Sequence, residues 1–402
     1  MRAGARVTLI IATAAVVSLV VWAPPAVHAQ TSDDLFDSTR IHEVRVTMHP
    51  RDLALFREHW QENTFYPATV VIDSVRVRDA AVRNRGLGSR NPHKQSMEVE
   101  FDRYVAGRRV LGLSGLVLDN LWQDESMVRE ALAFAVFNRA GTPAPRYAYA
   151  RMFVNNEFQG LFAIIEPISP AFLSRVYSDN DGYLYEFKWL FTFRATYLGD
   201  DLDVYKPVFE PRSHEDESDD ALYGPLRDLF RTVNESPDDV WRSRVEEVMN
   251  LDQLARYIAI EAYVAENDGF LGYDGLNNHY WYRPSGSGRH QVLPWDKDQA
   301  FIFLDSSIFR GVEENELVRR ALAQPDLREL YLNFLDQIVG LMIDGDWFKN
   351  ELERFVALIT PVVEEDTKKQ FSTDAFFEKV DFIRMFADVR PGFIRDEVRN
   401  NR

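Results

Sequence analysis

Cysteine is absent from the 402-residue chain. Its absence excludes disulfides, thiolate metal sites, a thiol nucleophile and a lipidated cysteine, so any metal has to be held by oxygen or imidazole. Also missing are the HExxH pair of zinc proteases, a GxSxG nucleophile elbow and a P-loop. The longest apolar run, residues 7–22, falls short of the roughly 20 residues that span a bilayer. Positive charge is scarce: 46 Lys+Arg stand against 63 Asp+Glu, a net charge of −17. Such a chain repels phosphate backbones unless a basic patch is segregated, which argues against nucleic acid as the partner. Lysine is the rarer of the two cations, and Lys94 is the only one before Lys188.

What is present is core material. With 46% hydrophobic and 13% aromatic residues the chain cannot be mainly disordered. Residues 1–29 have the order of a secretory signal: Arg2 and Arg6, the apolar run, then Val27 and Ala29 in the small-residue spacing of a cleavage site. The expected product is exported (periplasmic, cell-surface or secreted) and is not stably inserted in a membrane.

Residues 30–166 read as strands with few helices. Alternation marks strands at 44–48, 66–73, 74–82 and 97–101, with a short helix at 50–60 between the first two. Asp124 can cap a helix that Gly141 and Pro143 stop. Apolar runs at 147–154 and 157–166 join at Asn155-Asn156, a hairpin signal. From 167 to 402 the spacing is helical, at 169–177, 219–233, 237–249, 251–266 and throughout 314–402. Two short strands, 278–283 and 290–295, interrupt it, and 210–220 reads as a solvated acidic loop. The expected fold class is α+β: a β-rich lobe, then a mainly helical lobe, with ligands bound between them.

Chemistry concentrates in two places. Arg85-Gly-Leu-Gly-Ser-Arg90 is a basic glycine loop whose backbone N–H groups can approach an anion. Lys94, four residues on, can reach a phosphate as a compact charge. The second place is 266–298. If Arg283 faces Gln291 in an antiparallel hairpin, Asn278 faces Asp296, and an amide oxygen with a carboxylate suits Mg²⁺ or Mn²⁺. Asp268 enters the same space from a helix end, and Asp274 competes with it as a base. A base, an Asn and a metal carboxylate in that chain order form the phosphoryl-transfer arrangement of protein kinases.

These pieces, with Asp124-Glu-Ser-Met-Val-Arg129, Val154 to Glu166, Asn278 to Arg283 and Pro294-Trp-Asp-Lys-Asp298, resemble the CotH kinase family of spore-coat-protein-H-like atypical kinases. The resemblance implies a two-lobed protein-kinase-like fold, ATP with a divalent metal, and phosphate transfer to Ser/Thr hydroxyls of a protein acceptor. It implies Asp268 as the catalytic residue, Asn278 and Asp296 as metal ligands, and Gly86, Ser89, Arg90, Lys94 and Glu166 at the nucleotide. In the first-lobe helix Glu130 could pair with Lys94, while Arg129 is the residue that matches the family there, so the salt-bridge partner of Lys94 stays open. Three rivals remain: a non-catalytic envelope or adhesion protein on a kinase-like scaffold, a glycosyltransferase using Asp296-Lys-Asp298 as a D-x-D site, and a glycosidase using Asp268 and Asp296.

Overall fold

A computed structural model describes residues 31–179 and 181–402; the leader expected at 1–29 lies outside them. In chain order the elements are α1 (Ser32–Leu35), β1 (Ile41–Met48), α2 (Pro50–Glu58), β2 (Tyr66–Ile72), β3 (Val75–Asn84), β4 (Met97–Glu100), β5 (Gly115–Asp119), α3 (Arg129–Arg139), β6 (Tyr147–Val154), β7 (Glu157–Ile165), α4 (Pro170–Tyr177) and β8 (Tyr183–Phe187). Then follow β9 (Phe209–Pro211), α5 (Asp219–Glu235), α6 (Asp238–Val248), α7 (Leu251–Val264), β10 (His279–Arg283), β11 (Gln291–Pro294), α8 (Glu316–Leu322), α9 (Pro325–Ile343), α10 (Trp347–Glu365) and α11 (Thr373–Asn401).

The strand alternation does what period-2 patterns do. Val44, Val46 and Met48 of β1 point inward, beside Val70 and Ile72 of β2, Val82 of β3 and Val99 of β4. Asn155 and Asn156 both take positive φ, 46° and 67°, the twist that a two-residue hairpin between β6 and β7 requires. The Asn155 side chain also bonds both backbone groups of Met48, 2.8 Å to its N–H and 2.9 Å to its carbonyl, tying the hairpin to the end of β1.

The strand-rich part corrects the expected two-lobed kinase-like fold. Its strands run in the order β1-β2-β3-β4-β5-β7-β6 and close into a barrel, because β1 pairs in parallel with β6 along Ile41–Val46 and Tyr149–Val154. Closure gives each strand a partner on both sides and removes the edges that an open lobe would expose. A second sheet, β11-β10-β8-β9, stands apart from the barrel, and β8 and β9 come from a stretch without a clear strand pattern.

The barrel is buried inside and along one outer side. Val117, Tyr149, Leu161, Ala163 and Ile165, on β5, β6 and β7, belong to the large core that also holds α3, α7 and the C-terminal helices. Tyr149 meets Phe355 of α10 edge-on at 6.0 Å. Strands covered on both faces read as continuous apolar runs, which is the pattern of 157–166.

The β10–β11 ladder differs by one residue from the expected register. Tyr282, not Arg283, faces Gln291, and His279 faces Pro294. Asn278 therefore lies beside Trp295, whose N–H reaches its carbonyl at 3.3 Å, and Asp296 falls one residue past that position. Both strands are buried on both faces, so no polar alternation marks the register in the sequence.

Candidate functional site

Helix α7 is fixed at its start by the Asn250 side chain, which accepts the Gln253 N–H at 3.1 Å. It ends at Ala265, in the left-handed region with φ 52°. Just before that end, the buried Glu261 carboxylate gathers four donors. They are the Tyr257 hydroxyl (3.0 Å), the N–H groups of Phe270 (3.0 Å) and Leu271 (2.8 Å), and the Lys297 ammonium (2.8 Å). Lys297 also donates to the Asn278 carbonyl at 3.0 Å. One buried ion pair thus holds together the end of α7, the loop 266–278 and the segment leaving β11.

That frame presents Asp268, Asn278 and Asp296. The Asp268 carboxylate accepts from Asn277 Nδ2 at 3.0 Å and Asn278 Nδ2 at 3.2 Å. Asn278 and Asp296 both take left-handed φ, 50° and 48°, so each turns out of its strand end. Asp274, the rival base, instead accepts the Thr192 hydroxyl at 2.9 Å.

The barrel supplies the facing wall. Asp119 ends β5. Asp124 accepts the N–H of Ser126 (2.9 Å) and of Arg129 (2.8 Å), shaping the turn from which α3 starts with Glu130. Asp119, Asp124, Glu130, Asp296 and Asp298 line one cavity with Ser89. Its volume is about 20 Å³, room for about one water or small cation.

The charges there are poorly compensated. Arg85 approaches Asp119 at 3.6 Å and lies over the Trp295 ring at 5.6 Å. Arg129 approaches Asp124 at 3.6 Å. Burial, reinforced by Asp119, pushes Asp296 up to about 6 against the pull of Arg85. Burial and then the charge of Asp296 hold Glu130 and Asp298 well above the carboxylate range. Burial also raises Asp268, against its bond from Asn277. Glu266, buried behind them, is pushed up to about 8 by burial. One of its oxygens accepts the Asp268 N–H at 2.9 Å and the other has no partner among the described residues.

The residues expected at the nucleotide divide. Ser89 lines the cavity. Gly86 has φ 94°, and a methyl group there would collide with the Ser89 hydroxyl. Arg90 is turned back onto its own loop: Nε donates to the Gly86 carbonyl at 2.6 Å, and the other nitrogens reach the Gln61 carbonyl and Asn63. Lys94 is fully buried, not in a cleft, with its ammonium 2.7 Å from Asp366. Glu166 is buried between Arg146 (2.7 Å) and Arg175 (2.5 Å). Neither Glu130 nor Arg129 pairs with Lys94.

Asp119, Asp298 and Arg85 carry the site as much as the expected residues do. Asp298 stands two residues past Asp296, and Arg85 opens the glycine loop. Asp119 has no sequence signal beyond ending an apolar run.

Among the described residues no three Asp, Glu or His side chains converge closely enough to hold a metal ion unaided. Mg²⁺ commonly takes only one or two carboxylates and completes its shell with water and substrate phosphates. Asp296 and Asp298, which line the cavity, and the neighbouring Asn278 are hard oxygen donors of that kind.

The comparisons with known proteins agree on one family. Residues 82–394 match the sequence profile described as CotH kinase protein. The inner spore coat protein H of Bacillus subtilis is 21% identical, covering 87% of this chain and 96% of that protein. Two Rhizopus delemar proteins also align, the invasin CotH7 at 22% and spore coat protein homolog 1 at 20%, over 68% and 76% of this chain. The chain spans about half the length of these two fungal relatives, 45% and 51%. With the profile match running through the glycine loop, the carboxylate cavity and the helices behind them, the chain belongs to the CotH kinase protein family.

Proposed function

We propose that the protein is an exported, metal-dependent phosphotransferase that moves the γ-phosphate of ATP to a Ser/Thr hydroxyl of a protein acceptor. The observation that carries this is the cavity where Asp119, Glu130, Asp296 and Asp298 face Ser89 of the glycine loop. Carboxylates alone would repel a triphosphate. A divalent cation held by Asp296, Asp298 and Asn278 would supply the positive charge that phosphoryl transfer needs. Arg85 and Ser89 turn donors toward the phosphates, while Arg90 shapes their loop. Asp268, oriented by Asn277 and Asn278, takes the hydroxyl proton. Lys94 and Glu166 hold the barrel in place from their buried ion pairs. The family's kinase label supports the reaction, and the coat and invasin names of the relatives support a surface or exported setting, as does the leader pattern of residues 1–29.

A non-catalytic coat or adhesion role is the second reading. It is favoured by those same names and by a cavity of only about 20 Å³, too small for a nucleotide without opening. Thermal melting with ATP and Mg²⁺ or Mn²⁺, alongside transfer of labelled phosphate to a protein acceptor, separates the two. Asp296→Asn is expected to lose both metal-dependent nucleotide binding and turnover. Asp268→Asn is expected to bind ATP with metal but lose turnover by about 10²–10⁴-fold. Asp274→Asn is expected to keep both. A wild-type protein that neither binds ATP with metal nor transfers its phosphate sinks the phosphotransferase reading.

A further inference from the structure

Behind the glycine loop lies a second, larger concavity, a groove of about 600 Å³. Its charged lining is Arg57, His93, Lys368, Lys369 and Glu157, with Trp122 as its aromatic wall. Three permanent cations therefore face one carboxylate, on a chain whose net charge is −17. Glu157 is shared between Arg57 at 2.7 Å and Lys368 at 2.5 Å, and it is half exposed. Among the described residues Lys369 donates only to the Asp366 carbonyl, at 2.8 Å. The cations come from the end of α2 and from the loop between α10 and α11, so they are spread along the groove and do not converge on one point. Gln95, Gln159 and Gln370 add amide groups: Gln159 accepts from Lys368 at 2.8 Å and donates to the Glu157 carbonyl at 2.9 Å, and Gln95 donates to the Phe56 carbonyl at 3.2 Å.

We propose that this groove docks an acidic polypeptide segment of the phosphate acceptor. Distributed cations with amide groups between them match carboxylates spaced along an extended chain, whose backbone also needs donors and acceptors. A single phosphate would need converging donors. The position gives the docking a direction. Trp122 lines the groove, while the next residue, Gln123, lines the carboxylate cavity. An acidic segment is attracted to one side of this short stretch and repelled from the other, which leaves a neutral hydroxyl-bearing portion to approach Asp268. The proposal rests on the phosphotransferase reading only for what the segment delivers; the binding itself does not depend on it.

A dye-labelled peptide of alternating glutamate and serine, titrated against the full protein by fluorescence anisotropy at low salt, tests it. Saturable binding that weakens as salt rises is expected. Lys368→Glu with Lys369→Glu should weaken it at least about tenfold. Lys369→Ala, which breaks only a bond to a backbone carbonyl, should weaken it in the same direction without lowering the melting temperature. Lys349→Glu, at an exposed pair with Asp388, controls for net charge and should change little. The proposal is overturned if the wild type does not bind the peptide, if Lys349→Glu weakens binding as much as the groove variants, or if inorganic tripolyphosphate binds where the peptide does not. Peptide binding by a protein that neither binds ATP with metal nor transfers its phosphate would leave the groove standing and remove the phosphotransferase reading alone.

Discussion

Glu266 is a carboxyl group with a buried, unpartnered oxygen behind the acidic cavity, and its pKa is pushed from 4.5 up to about 8. A carboxyl raised on folding binds its proton more tightly in the native state than in the unfolded one. Between the two values the native state holds more protons, so stability falls as pH rises. The window for Glu266 runs from 4.5 to about 8, and that for Asp296 from 3.8 to about 6. Glu266→Gln keeps an oxygen to accept the Asp268 N–H and deletes the titration. Urea unfolding of the metal-free protein at pH 5 and pH 8 should show wild type less stable at the higher pH. The difference should be a few kcal/mol at most, since a tenfold difference in proton affinity between folded and unfolded states is worth roughly 1.4 kcal/mol. The glutamine variant should show a flatter profile. Equal slopes for the two proteins would mean that Glu266 ionises freely in the folded state.

The elements that position the site were legible where period and turn chemistry agree: β1 to β4, the Asn155-Asn156 hairpin, and helices α4 to α7 all form within a few residues of their expected bounds. β8 and β9 were not, because they are short and complete a sheet whose other strands come from far along the chain. At the candidate site, the nearness of Asp268 to Asn278 and of Ser89 to Asp296 was readable from type and order. Lys94 was readable as unusual but not as buried, because its partner Asp366 is 272 residues away. Asp366 closes α10 and also accepts the Leu161 N–H of β7 at 3.0 Å, so the pair fastens a C-terminal helix to the barrel. Gly160 permits this: its φ is 101°, and a methyl group there would collide with the Asp366 carboxylate. Lys94→Met leaves that carboxylate buried without its cation and should cost about 3–5 kcal/mol. Chemical unfolding measures it; a loss below about 1 kcal/mol would mean that Asp366 finds water in place of the lysine.

At the scale of the whole molecule, the closed barrel is the feature that pattern reading could not reach. Alternation says that a strand has two faces; it does not say whether the first strand of a sheet meets the last. Closure here depends on β1 pairing in parallel with β6, a contact between residues about a hundred positions apart. The barrel nevertheless lacks a complete surface of its own. Val117, Tyr149, Leu161, Ala163 and Ile165 face outward into the same core as α3, α7 and α10. Lys94 and Arg151 reach from the barrel to Asp366 and Glu365. A fragment of residues 31–168 would expose that apolar strip and leave Lys94 without its carboxylate. Large contiguous apolar patches drive association, so the fragment should not behave as a stable monomer. It should bind a hydrophobic dye, lack a sharp thermal transition and associate with rising concentration, while 31–402 melts with its barrel and helices together. A monomeric fragment with a cooperative melt would show that the barrel folds without the helices, and that their shared core adds stability to a structure already formed.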